Sequence, residues 1–126
     1  MTRTTLLALA ERVEAATGAD RELDVLVALA KGWRKESARD WFTPPGVNVR
    51  HHKTELPCYT ASLDAAMSLP PSGQAQEVLR HAMAALGKRF DLHIKFWPKD
   101  QNYTEWLARF VTAASLRAIA GSLPND

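Results

Sequence analysis

Cysteine is almost absent from this chain of 126 residues, where Cys58 stands alone. An internal disulfide is thereby excluded, and a reducing compartment is the simplest setting. Long apolar runs are missing too, with no segment near the ~20 residues that span a bilayer. The opening residues have a slight signal-peptide look, but Glu11, Arg12 and Glu14 interrupt the apolar run after five residues, too early for a signal core. The expectation is a cytoplasmic protein without a membrane partner. A strong charge of one sign is also lacking. The formal net charge is +2, with seven basic and seven acidic side chains up to Asp40 and nine against seven beyond it. A duplex-binding domain shows a heavier basic stripe, so duplex nucleic acid is not an expected partner, whereas a small anionic ligand remains compatible. Neither GxSxG, a P-loop nor GxGxxG occurs, which removes the strong hydrolase and nucleotide-enzyme signatures.

What is present reads as an ordinary globular chain: 46% apolar and 24% charged residues, in a length close to one domain. Residues 1–126 are read as a single domain. Leu6, Leu9, Ala10 and Val13 recur at helical spacing, with Thr17-Gly18 as a stop. Asp20 suits the N-cap of a second helix carrying Leu23, Leu26, Val27 and Ala30 and ended by Gly32. Residues 1–33 thus form a helical hairpin. From Trp33 to Pro57 the helical period disappears. Trp41-Phe42-Thr43-Pro44-Pro45-Gly46 is a turn signature, and Val47 and Val49 suggest a short strand at best. Thr60 can cap a third helix over 61–69, with Leu63, Ala66 and Met67 inward, before Pro70-Pro71-Ser72-Gly73 ends it. A fourth helix spans about 74–86, with Gly87 after it. The period then changes to two: Phe90, Leu92, Ile94 and Phe96 alternate with Asp91, His93 and Lys95, the clearest strand signal in the chain. Residues 98–102 read as a turn. Residues 103–110 fit either a hairpin strand or a helix started by an Asn102–Glu105 capping box. The strand is preferred, followed by a final helix over 112–122.

Candidate chemistry is sparse. His51-His52 with Cys58 is the nearest approach to a metal cluster, but adjacent residues of a strand face opposite sides, and zinc wants three or four convergent ligands. A polar loop is the plainer reading, and neither metal nor cofactor is expected. His81 and His93 stand isolated and read as surface residues. Cys58 has no activating base beside it and reads as a small buried residue. Ser62 and Asp64, two apart on a helix, do not face each other. The segment Tyr59 to Asp64 reads first as structure, with Thr60 capping and Tyr59 packing; a helix N-terminus that holds an anion is the sharper alternative. The four tryptophans, Trp33, Trp41, Trp97 and Trp106, read by default as a seam between helices and sheet. Those beside turns also suit a half-exposed site, where aromatic faces and Lys88, Arg89, Lys95, Lys99 and Arg109 would stack and hold a nucleotide or form a protein hot spot.

A longer pattern emerges once the segments are set side by side. LLALAERVEAATGADRELDVLVALAKGWR over 6–34 is followed by WFTPPG, then LPCYTASLDAAMSLPP, and finally WLARFVTAASLRAIAG. This resembles the small phage and prophage proteins that carry the phage ABA sandwich domain, most specifically at Tyr59 to Ala66. It departs from them between Ser72 and Asp91, where relatives have strand and loop and this chain has a helix. The resemblance implies a phage or prophage origin and an ABA sandwich-like region over 34–126, and it brings no catalytic residues. The fold expected is α+β and helix-rich: a small antiparallel sheet packed between helices, an α/β/α-type sandwich.

Taken together, these readings point to a phage accessory protein that is not an enzyme and acts by stoichiometric binding. Counter-defence is the expected setting, either inhibition of a host immune protein such as a CRISPR effector or sequestration of an anionic nucleotide signal. Lys95, Trp97, Lys99 and Arg109 are the expected ligand-binding residues. The rival from another class is a structural or morphogenesis protein that self-assembles, so a homo-oligomer stays open. A small enzyme without a recognisable motif is the third reading.

Overall fold

A computed structural model describes residues 1–36, 40–90 and 102–124. Five α-helices among them, α1 (Arg3–Ala15), α2 (Arg21–Ala30), α3 (Leu63–Ala66), α4 (Ala75–Phe90) and α5 (Tyr103–Gly121), accompany three short strands, β1 (Arg34–Lys35), β2 (Trp41–Thr43) and β3 (His51–His52). The strands form an antiparallel sheet of order β1-β2-β3. The fold is helix-rich α+β, as expected.

α5 is the axis of the molecule. Its residues Trp106 to Ala113 are all buried, as are Ser115, Leu116 and Ala120. α1, α3 and α4 each pack against it. The N-terminal half, with Trp106, Leu107, Phe110 and Val111, joins Val78, Ala82 and Leu86 of α4 in one apolar cluster. The C-terminal half, with Ala113, Leu116 and Ala120, joins Leu6, Leu9 and Val13 of α1, Leu23 and Val27 of α2, and Phe42 of the sheet in a second.

Local chemistry explains most element ends. The Thr2 hydroxyl accepts the Thr5 amide at the start of α1, and Asp20 accepts the amides of Glu22 and Leu23 at the start of α2. α2 ends in a Schellman arrangement, with the Trp33 amide donating to the Ala28 carbonyl and the Gly32 amide to Leu29. That geometry needs the left-handed conformation that Gly32 adopts, at φ 107°.

Several expectations are corrected. Residues 103–110 are helical, not a strand. Asn102 accepts the Glu105 amide, and a helix buried on nearly every side shows no clean amphipathic period by which to recognise it. α4 runs through Gly87 to Phe90, because glycine is tolerated inside a helix at about 1 kcal/mol and the Phe90 ring meets Trp106 edge-on at 4.7 Å. α3 is one turn long and is capped by Ser62, whose Oγ accepts the Ala65 amide. α1 ends at Ala15 with Ala16 extended, and Gly18 is not in the left-handed region. Val47 and Val49 lie outside any strand, while Trp41–Thr43, expected as turn, forms the central strand. The turn itself follows at Pro44–Gly46, with Gly46 at φ 74°. Cys58 is exposed, not buried. The strand expected over 90–96 begins with Phe90 inside α4, and its remaining residues, like 98–101 and His93, lie outside the described residues.

Candidate binding surface

The Tyr59-Thr60 segment is anchored from two sides, by α2 and by α5. The carboxylate of Asp24 on α2, 1% exposed, accepts the Thr60 amide at 2.8 Å and the Thr60 hydroxyl at 2.9 Å. That hydroxyl in turn accepts the Asp20 amide at 2.9 Å. Arg21 Nη1 donates to Asp24 at 3.0 Å, and its Nη2 donates to the carbonyls of Lys53 and Leu56. From the other side, Arg109 Nη1 donates to the Thr60 carbonyl at 3.0 Å and the Thr112 hydroxyl to the Tyr59 carbonyl at 2.9 Å. A loop that enters the core must have its backbone groups answered, and α2 and α5 supply the partners. Burial pushes the Asp24 carboxyl above its usual value, against the pull of the Thr60 and Arg21 hydrogen bonds. Burial likewise raises the Tyr59 hydroxyl, opposed by a hydrogen bond with Trp33. These hydrogen bonds have a structural use, and Thr60 serves it by tying α2 to the loop where a helix cap was expected.

The sheet presents the opposite character. Trp41 and His52 are paired across β2 and β3, so their side chains share a face, with ring centroids 5.3 Å apart and edge-on. The Arg50 guanidinium lies 5.5 Å from the centre of the Trp41 ring. On the opposite side of the pleat, Trp33 meets His51 edge-on at 5.8 Å. Both tryptophans are half-buried, and Arg34, Lys35 and Arg50 are exposed. Val47 and Val49, in the connection between β2 and β3, stand 49% and 56% exposed. The two histidines therefore part company, as adjacent strand residues should, and no group of three or more metal-ligating side chains occurs among the described residues. The Trp41 face joins a tryptophan and an arginine, residue types that carry affinity at protein interfaces.

A separate groove of about 520 Å³ opens where α1 and α4 flank α5. Its floor includes Phe110, Ala114 and Ala118, and its rim carries Glu77 and Lys88.

Of the four expected ligand-binding residues, Lys95, Trp97 and Lys99 lie outside the described residues. Arg109 sits inside the fold, 1% exposed, with its guanidinium 4.5 Å from the Trp106 ring centre. Burial draws its pKa below the usual value, and Glu105 opposes that. Sequence reasoning singled out Trp41 as an aromatic beside a turn, but it did not bring Arg50, His51 and His52 to the tryptophans. The signal was there in Arg50-His51-His52 following a turn, which lets a hairpin fold those residues back onto Trp41. No helix among the described residues is long and apolar enough to cross a membrane. Comparisons with protein-family models, with curated proteins and with solved structures find no match.

Proposed function

We propose that the chain acts by stoichiometric binding of a protein partner, through the sheet face built by Trp41, Arg50 and His52. The observation that carries this reading is the half-buried Trp41, set between the His52 ring edge and the exposed Arg50 guanidinium. A rigid aromatic anchor costs little side-chain entropy to immobilise, and arginine adds directional donors, which is why these two residue types dominate hot spots. The resemblance to phage ABA sandwich proteins supports a phage or prophage setting, in which the reading is counter-defence with a host immune protein such as a CRISPR effector as partner. Sequestration of an anionic nucleotide is a second reading, favoured by the exposed Arg34 and Arg50 on the Trp41 face.

The test pairs wild type with Trp41→Ala and Arg50→Ala. The expected result is one host protein retained near one-to-one by wild type and lost by both variants, while their melting temperatures stay within a few degrees of wild type. A ligand-specific thermal shift with nucleotides, abolished by the same substitutions and without a retained protein, would move the reading to sequestration. Neither outcome, or retention unchanged in both variants, would sink the assignment of this face.

A further inference from the structure

We infer that the groove between α1, α4 and α5 is the contact between two copies of this chain, which pair through antiparallel α4 helices. The α4 wall of the groove carries Glu77, His81, Ala84, Ala85 and Lys88, spaced four, three to four and three to four residues apart, and so on one helical face. Glu77 and His81 side chains are 68% and 70% exposed, and Ala84 and Lys88 are exposed as well. The α5 floor beside this wall adds Phe110, Ala114 and Ala118. Alanines at the centre of the face let a second helix approach closely, and the partly exposed Ala85, Ala114 and Ala118 offer a small apolar area to bury.

The order of charge identifies the occupant. Along this face the acid comes first and the base last, separated by eleven residues or ~16 Å of helix. A twofold axis midway between them brings Glu77 of one copy to Lys88 of the second, and Lys88 of the first to Glu77 of the second. His81 then meets Ala84 of the second copy, so no like charges on this stripe are opposed. A twofold interface must be self-complementary in just this way. The face is distinct from the Trp41 face, and the inference does not depend on the function proposed there.

The test is sedimentation of the whole chain over a wide concentration range, for wild type, Glu77→Lys, Lys88→Glu and the double reversal. Wild type is expected to dimerise reversibly. Each single reversal creates two like-charge contacts and should weaken the dimer roughly tenfold, and the double reversal should restore it. Ala84→Arg, at an exposed helical position that tolerates arginine, should yield a folded monomer. A wild-type chain that remains monomeric throughout, a dimer indifferent to Ala84→Arg, or a double reversal that fails to rescue would each overturn the inference. Occupation of the groove by a foreign protein in place of a second copy would do the same.

Discussion

Two arginine–tryptophan pairs in this protein make nearly the same contact and serve opposite ends. Arg109 lies 4.5 Å from the Trp106 ring and Arg50 lies 5.5 Å from that of Trp41. The first pair is buried in α5, where the guanidinium also answers the carbonyl of Thr60. The second stands on the sheet with Arg50 exposed and Trp41 half-buried. Solvent decides the difference. Desolvated, Arg109 gives Nη1 to the Thr60 carbonyl and its face to the Trp106 ring, while its Nε has no hydrogen-bond partner among the described residues, so it acts as a fastener held at some cost. An exposed arginine keeps its hydration and can exchange it for a partner's groups on binding.

The comparison can be broken most directly by truncation. Arg109→Ala removes packing and leaves the buried Thr60 carbonyl without its donor, which should cost about 3 kcal/mol. For a chain of this size the melting temperature should fall by roughly ten degrees in calorimetry. Arg50→Ala should cost only about 0.5 kcal/mol, with its effect appearing in partner retention instead. Equal stability losses would show that both pairs are fasteners.

Thr60→Val sharpens the buried side of the comparison. It keeps the shape but removes the hydroxyl that links Asp20 to Asp24, and urea unfolding should register about 2 kcal/mol. The Tyr59-Thr60 segment would have a lesser part in stability if the loss were negligible.

The smallest effect expected is a trend with pH. Asp24 is held above its ordinary value of 3.8, chiefly by burial. A carboxyl raised in this way binds its proton more tightly folded than unfolded. Its titration therefore contributes most below 3.8, and that contribution is lost as pH rises through the folded value. The stability advantage of wild type over Asp24→Asn should accordingly be largest in acid and shrink towards neutrality in urea titrations across that window. An advantage that grows with pH would mean that the Arg21 and Thr60 hydrogen bonds outweigh burial.

What could be read from the sequence was mostly local. The Asp20 cap, the Gly32 stop, the turn at Pro44–Gly46 and the apolar faces of α1, α2 and α4 all follow from neighbouring residues, whose spacing and backbone preferences leave few alternatives. The absence of a second cysteine and of long apolar runs was equally plain. Tertiary structure decided the rest. α5 is helical from Tyr103 because other helices surround it, and that same enclosure erases the period that marks a surface helix. Thr60 leaves its expected cap because a carboxylate 36 residues earlier offers its hydroxyl a buried partner. The pairing of Trp41 with His52 and Arg50, and the interior place of Arg109, likewise depend on contacts between distant segments. Such contacts are settled by burial and hydrogen-bond satisfaction over the whole chain, which local spacing does not encode.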